Sequence, residues 1–149
     1  MGKKIIGVIG GANCSDEIYQ TAEQVGEEIA ARGGILICGG LSGIMEAACH
    51  GAHKKNGLTI GVLPGILAEA ANAYVDIPIV TGLADARNVI IARTAQAVIA
   101  IDGELGTLSE IAFALKFKKP VIGLMTWDVH PNIVQATSPT DAVAKAFAQ

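Results

Sequence analysis

Ala97-Val98-Ile99-Ala100-Ile101-Asp102-Gly103-Glu104-Leu105-Gly106-Thr107-Leu108-Ser109-Glu110 carries the architecture of the chain in miniature. A short apolar run enters a glycine turn, and the turn opens a helical pattern that continues to about Lys118. A strand passing through glycine into a helix is the first half of a βαβ unit. The same order recurs on both sides. Ile5–Ile9 closes on Gly10-Gly11, and Ile18, Ala22, Val25 and Ile29 then mark a helix from about Ser15 to Arg32, stopped by Gly33-Gly34. Ile35–Cys38 exits through Gly39-Gly40-Leu41-Ser42-Gly43 into a helix from about Gly43 to Lys55, and Thr59–Leu63 closes on Pro64-Gly65. Ile77–Val80 and Pro120–Leu124 read as further strands, and about Asp85 to Thr94 as a helix. Ser138 as N-cap and Pro139 at the first helical position open the last helix. Alanine-rich Ile66–Asp76 suits a short helix or an ordered loop, and Val129–Thr137 a surface excursion.

The pattern predicts an α/β fold: a single Rossmann-like doubly wound domain with a mainly parallel sheet of about six strands. A length of 149 residues suits one domain, and no linker, repeat or low-complexity segment interrupts it. Hydrophobic residues at 51% and charged residues at 17% exclude disorder. Aromatics at 4% leave the core to Val, Ile, Leu and Ala, which suits strands buried on both faces. The net charge of −3, with no basic run beyond Lys54-Lys55 and Lys118-Lys119, argues against nucleic acid as a partner. Backbone amides and helix N-termini must therefore hold any anionic ligand more than lysine clusters do. Cys14, Cys38 and Cys49 form no Cys-x-x-Cys pair and read as reduced thiols. The apolar run at the start is too short for a signal peptide or membrane span, so a cytoplasmic protein is expected.

In an open α/β sheet, ligands sit beyond the carboxyl ends of the strands, where strand order reverses. Gly10-Gly11, the Gly39-Gly40 and Gly43 turn, and the Gly103, Gly106 and Thr107 turn should all converge there. Glycine allows close backbone approach to a ligand, and each helix N-terminus favours an anion. Tight βα turns also favour glycine without any ligand. No turn is a strict Gly-x-Gly-x-x-Gly or a Walker loop, which weakens dinucleotide and ATPase readings.

Gly103–Glu110 resembles the PGGxGTxxE motif of the LOG, or "lysine decarboxylase-like", superfamily. That superfamily holds cytokinin-activating phosphoribohydrolases and molybdenum-cofactor carrier proteins. Cys38–Glu46 resembles its second glycine turn, and Gly57–Gly65 (GLTIGVLPG) its third-strand signature. Arg87-Asn88 stands where LOG enzymes carry an Arg-Lys pair. The resemblance implies a phosphorylated, nucleotide-like ligand: a nucleoside monophosphate or a molybdenum cofactor of molybdopterin type. It implies contacts from Gly10, Gly11, Gly39, Gly40, Gly43 and Met45 on one side. Pro64, Gly65, Arg87, Asn88, Gly103, Gly106 and Thr107 would serve on the other. If the chain is a LOG-like nucleoside 5′-monophosphate phosphoribohydrolase, Arg87 and Glu110 are the implied catalytic pair. A nucleotide-sensing regulatory module is a third reading.

Asp102 and Glu104 depart from the motif and bring carboxylates to a phosphate site, and Asn88 replaces the lysine. The short helix after Glu110 resembles the carrier branch more than the longer enzymes. Relatives also imply a homo-oligomer, dimer or tetramer, with Met45–Ala52 and Ile111–Leu115 as candidate helix faces. Several features have ordinary structural readings. Thr107-x-x-Glu110 fits a capping box. Cys49, His50 and His53 lack the rest of a ligand set, so no metal is expected. Cys14 precedes a helix start, which can lower a thiol pKa. Ser42 lacks a nucleophile-elbow pattern, and Trp127 and His130 read as packing residues of a late loop.

Overall fold

A computed structural model describes residues 2–149. Its strands are β1 (Ile5–Ile9), β2 (Ile35–Cys38), β3 (Thr59–Leu63), β4 (Ile77–Val80), β5 (Ala97–Ile101), β6 (Val121–Leu124) and β7 (Ile133–Gln135). The α-helices are α1 (Asp16–Ala31), α2 (Ile44–Lys54), α3 (Asn88–Thr94), α4 (Leu105–Lys116) and α5 (Pro139–Phe147). All strands join one parallel sheet in the order β4-β3-β2-β1-β5-β6-β7. The order reverses between β1 and β5, so their carboxyl ends flank the crevice where such folds bind ligands.

The period-2 alternation of the strands builds two cores. Ile6 and Val8 of β1, with Ile99 and Ile101 of β5, pack against α1, α2 and α5. Ile9, Val98 and Ala100 face the other way, against Ile91 and Ala92 of α3 and Ile111 and Ala114 of α4. Ser15 and Ser138 cap α1 and α5 by accepting from the amides of Ile18 (3.2 Å) and Asp141 (3.0 Å). No helix among the described residues is long and apolar enough to cross a membrane.

The sheet has seven strands rather than about six. The added strand, β7, lies inside the stretch read as a surface excursion. It pairs Ile133 with Val121, and its three residues, with only Ile133 buried, are too few to show a period. The helix expected from about Asp85 is a 3₁₀ turn, Ala84–Arg87, leading into α3. Residues 66–76 hold one short 3₁₀ turn, Ala68–Ala70. The helix faces taken as interface candidates cover the sheet instead: Met45, Ala47, Ala48, Cys49 and Ala52 are core residues, as are Ile111 and Ala114. Exposed apolar surface lies on the edge strand β4, at Ile77, Ile79 and Val80, and on nearby Ile66 and Leu67.

Helices α1 and α2 touch backbone to backbone. A Cβ on Gly26 would stand 1.9 Å from the Ala48 carbonyl oxygen, and one on Gly51 1.8 Å from that of Glu23. Gly26→Ala should therefore destabilise the protein by about 1–3 kcal/mol through overpacking. That loss is net of a helix-propensity gain of about 1 kcal/mol. Urea unfolding checks this; a midpoint at or above wild type would show that the helices separate freely.

Candidate functional site

A cleft of about 180 Å³ opens at the carboxyl ends of the central strands. Gly10, Gly11 and Ala12 leave β1 along one wall, Leu41 comes from the turn between β2 and α2, and Met45 from the first turn of α2. Asp85, Arg87 and Asn88 stand on the 3₁₀ turn and the start of α3; Glu104, Gly106, Thr107 and Glu110 belong to the entrance of α4.

Arg87 is 8% exposed and Glu110 6%. The arginine Nη1 donates to the side-chain oxygen of Asn88, and Nη2 donates to the Gly39 carbonyl at 3.4 Å. Its Nε is buried with no hydrogen-bond partner among the described residues. Asn88 in turn donates to Ser109 Oγ (3.2 Å), which donates to the Gly106 carbonyl (2.7 Å). This chain joins α3 to the first turn of α4. Arg87 and Glu110 do not form an ion pair among the described residues. Burial pushes the Glu110 carboxyl up to about 8, although the Arg87 charge pulls it partly back. At neutral pH the cleft thus presents a buried cation beside a protonated carboxyl.

The capping-box reading of Thr107 and Glu110 does not hold. The N-cap is Glu104, which makes no side-chain cap, and Thr107 sits inside the helix in its first turn. The Leu108 amide makes the first backbone bond of the helix, to the Glu104 carbonyl at 3.0 Å. The amides of Leu105, Gly106 and Thr107 therefore have no acceptor within the helix. Beyond its own turn, nothing stands within 4 Å of where a Gly106 Cβ would lie, and Gly106 lines the cleft.

Of the residues expected at the site, Gly10, Gly11, Met45, Arg87, Asn88, Gly106, Thr107 and Glu110 line the cleft. Gly39, Gly40, Gly43, Pro64, Gly65 and Gly103 do not. Gly39 lies beneath it: a Cβ there would meet Met45 Sδ at 2.6 Å and Arg87 Nη2 at 2.7 Å. Ala12, Leu41 and Asp85 also line the cleft and were not anticipated. Ala12 and Leu41 lie within or beside glycine turns, and Asp85 stands two positions before Arg87, which was the available signal. Of the two departing carboxylates, Glu104 lines the cleft, whereas Asp102 lines a neighbouring hollow with Gly103, Met125, Thr126 and Trp127.

The remaining candidates lie apart. His50 stacks on Tyr74 at 4.3 Å, and its Nδ1 is 3.5 Å from Glu23 Oε2. No three His, Cys, Asp or Glu residues converge at metal distance among the described residues. Burial first, then Asp102, Asp16 and Glu46, push the Cys14 thiol up, against the lowering expected at a helix start. Ser42 Oγ donates to the Ala12 carbonyl at 2.9 Å and serves the turn.

The profile of the SLOG cluster4 family matches residues 3–148. The molybdenum cofactor binding protein of the phototrophic bacterium Rippkaea orientalis is similar in structure. It superposes with a TM-score of 0.94 at 41% identity, covering 99% of this chain and 98% of that one. The molybdenum cofactor carrier protein of Chlamydomonas reinhardtii gives 0.88 at 37% identity, covering 99% and 100%. The rice cytokinin riboside 5′-monophosphate phosphoribohydrolase LOG is 34% identical over 85% of this chain, which spans 56% of that enzyme's length.

Folded protein keeps the Glu110 proton to about pH 8, whereas the unfolded chain releases it near the usual 4.5. Between these values the folded state binds the extra proton, so this group's contribution to stability is lost as pH rises from the lower value through the upper. Glu110→Gln removes the titration. Its melting temperature relative to wild type should rise steadily between pH 5 and pH 8.5; parallel curves would sink the assignment.

Proposed function

The chain belongs to the SLOG cluster4 family, on the carrier side of the LOG superfamily, and from that premise we propose that it binds a phosphorylated nucleotide-like molecule non-covalently in this cleft. The favoured ligand class is a molybdopterin-type cofactor, with nucleoside monophosphates next. Arg87 and the free amides of Gly106 and Thr107 hold the phosphate. Gly10 and Gly11 let the ligand approach the end of β1. Glu104 and Asp85 accept from N–H or O–H groups elsewhere on the ligand. Gly39, Gly40, Gly43 and Gly103 serve by shaping the turns, and Met45 and Asn88 by packing and orienting Arg87.

The carrying observation is the Arg87 guanidinium, a charge buried in the wall of this cleft, with no carboxylate paired to it and its Nε without a hydrogen-bond partner among the described residues. A protonated Glu110 does not repel a phosphate dianion and can donate to an oxygen. In a hydrolase the same carboxyl would have to ionise to stabilise the sugar, or serve in its protonated form as a general acid. N-glycosidic cleavage builds positive charge on the sugar, which an ionised carboxylate stabilises. A LOG-like phosphoribohydrolase is the second reading, favoured by Arg87 and Glu110 lining one cleft.

Calorimetric titration with AMP, other nucleoside monophosphates and a molybdopterin-type pterin phosphate tests the binding reading. Arg87→Ala should weaken the best ligand tenfold or more, the equivalent of about 1.5–3 kcal/mol for bonds to a charged group. No binding by wild type would overturn the proposal. Release of free base from a monophosphate, abolished by Glu110→Gln, would replace it with the hydrolase.

We also propose that the chain is a homo-oligomer whose contact includes the apolar edge at Ile77, Ile79 and Val80. Sedimentation should give a dimer or tetramer, and Ile79→Asp should shift it toward monomer; a monomeric wild type would refute this.

A further inference from the structure

The turn that opens α4 is held from outside the cleft. Thr126 Oγ1 donates to the Asp102 carbonyl at 2.6 Å, and Trp127 Nε1 donates to the Glu104 carbonyl at 3.2 Å. The Asp102 amide donates back to the Leu124 carbonyl at 3.3 Å. Both sides of this contact are bent into the left-handed region: Asp102 has φ 46°, Gly103 φ 104° and Met125 φ 56°. Asp102 and Met125 carry a Cβ there, a conformation that persists only where the surroundings impose it. Gly103 is also pressed on Thr107, where a Cβ would stand 2.4 Å from Oγ1. Glu104, the N-cap, supplies no capping side chain. The helix entrance is therefore held from two sides, by the segment that follows β6 and by the Asn88 and Ser109 bonds that end on the Gly106 carbonyl, rather than by an N-cap side chain.

We propose that Thr126 and Trp127 are positioning residues for the cleft. By holding the carbonyls of Asp102 and Glu104, they set where the Gly106 and Thr107 amides stand toward an anion. Neither residue lines the cleft, and each acts through a peptide group of the turn. The inference rests on the reading that the ligand's phosphate binds at the first turn of α4. It adds the late segment, far away in sequence, to the parts that tune affinity.

A built-in reporter follows from the same geometry. Trp127 is the only tryptophan in the chain, is 36% exposed and is bonded to the N-cap carbonyl. An anion bound two residues further on, at the Gly106 amide, should change its emission.

The test titrates wild type, Thr126→Ser, Thr126→Val and Trp127→Phe with AMP, by calorimetry for all and by tryptophan emission where the indole remains. Thr126→Val removes one hydroxyl with little change of shape, and Thr126→Ser keeps it. Loss of one such hydrogen bond should weaken AMP roughly three- to tenfold in Thr126→Val and in Trp127→Phe. Thr126→Ser should stay within about twofold of wild type, a rescue that a role in packing alone would not give. Thermal melts accompany the titrations, so affinity is compared among folded proteins. Thr126→Val binding as tightly as wild type, or Thr126→Ser as weak as Thr126→Val, overturns the proposal alone. If AMP does not bind, the pterin phosphate of the calorimetric series is the probe for the same variants; wild type that binds neither, with no change in its emission, overturns phosphate binding at α4 and this inference with it.

Discussion

Gly43 rests directly on the backbone of Gly11 and Ala12, and the cleft depends on that contact. A Cβ at Gly43 would come within 2.5 Å of the Gly11 carbonyl oxygen and the Ala12 carbonyl carbon, and its φ of 65° suits glycine in any case. The contact is reinforced by the Ile44 amide, which donates to the Gly11 carbonyl at 3.1 Å, and by the Ser42 hydroxyl on Ala12. The exits of β1 and β2 are thereby joined main chain to main chain. Arg87 then reaches across to the Gly39 carbonyl and ties in the segment after β4. Walls built this way stand ready before a ligand arrives, which lowers the ordering cost of binding.

Much of this was readable from residues alone, because burial on both strand faces leaves a strong mark. The alternation of Ile6 and Val8 against Ile9 repeats in β5, and glycine follows each of these strands. The site was only partly readable, because glycine has two uses that sequence does not separate. Gly11 and Gly106 line the cleft, Gly40 and Gly43 are required by backbone geometry and close packing, and Gly10 does both, since a Cβ there would stand 2.5 Å from Ile44 Cγ2. Local motifs misled where distant residues intervene. Thr107 fits a capping box only as an N-cap, with the helix beginning at Leu108, and the helix begins at Leu105. Cys14 is governed by burial and by Asp102, Asp16 and Glu46, which outweigh its position before α1 and suit the reading of a structural thiol. The α2 face looked like an interface because its apolar period is complete, yet α1 and the sheet consume it.

Arg87 and Glu110 show how one pair of residue types can serve different chemistry. A carboxylate near an arginine normally ionises, but here burial outweighs an attraction that no direct contact strengthens. Burial thus favours the protonated carboxyl and leaves Arg87 as the buried charge lining the cleft. Glu104 stays at the rim, where water can moderate its charge.

The central place of β1 has a consequence for biosynthesis. Its first neighbour, β2, follows within a short stretch of chain, but Ile6 pairs on the other side with Ala97. During translation the N-terminal half can gather β1 through β4 while one flank of β1 stays uncovered until β5 leaves the ribosome. A bare parallel edge of Ile and Val invites wrong pairing with other nascent chains. Rapid elongation through residues 81–101, or shielding by a chaperone, therefore bears directly on the yield of folded protein.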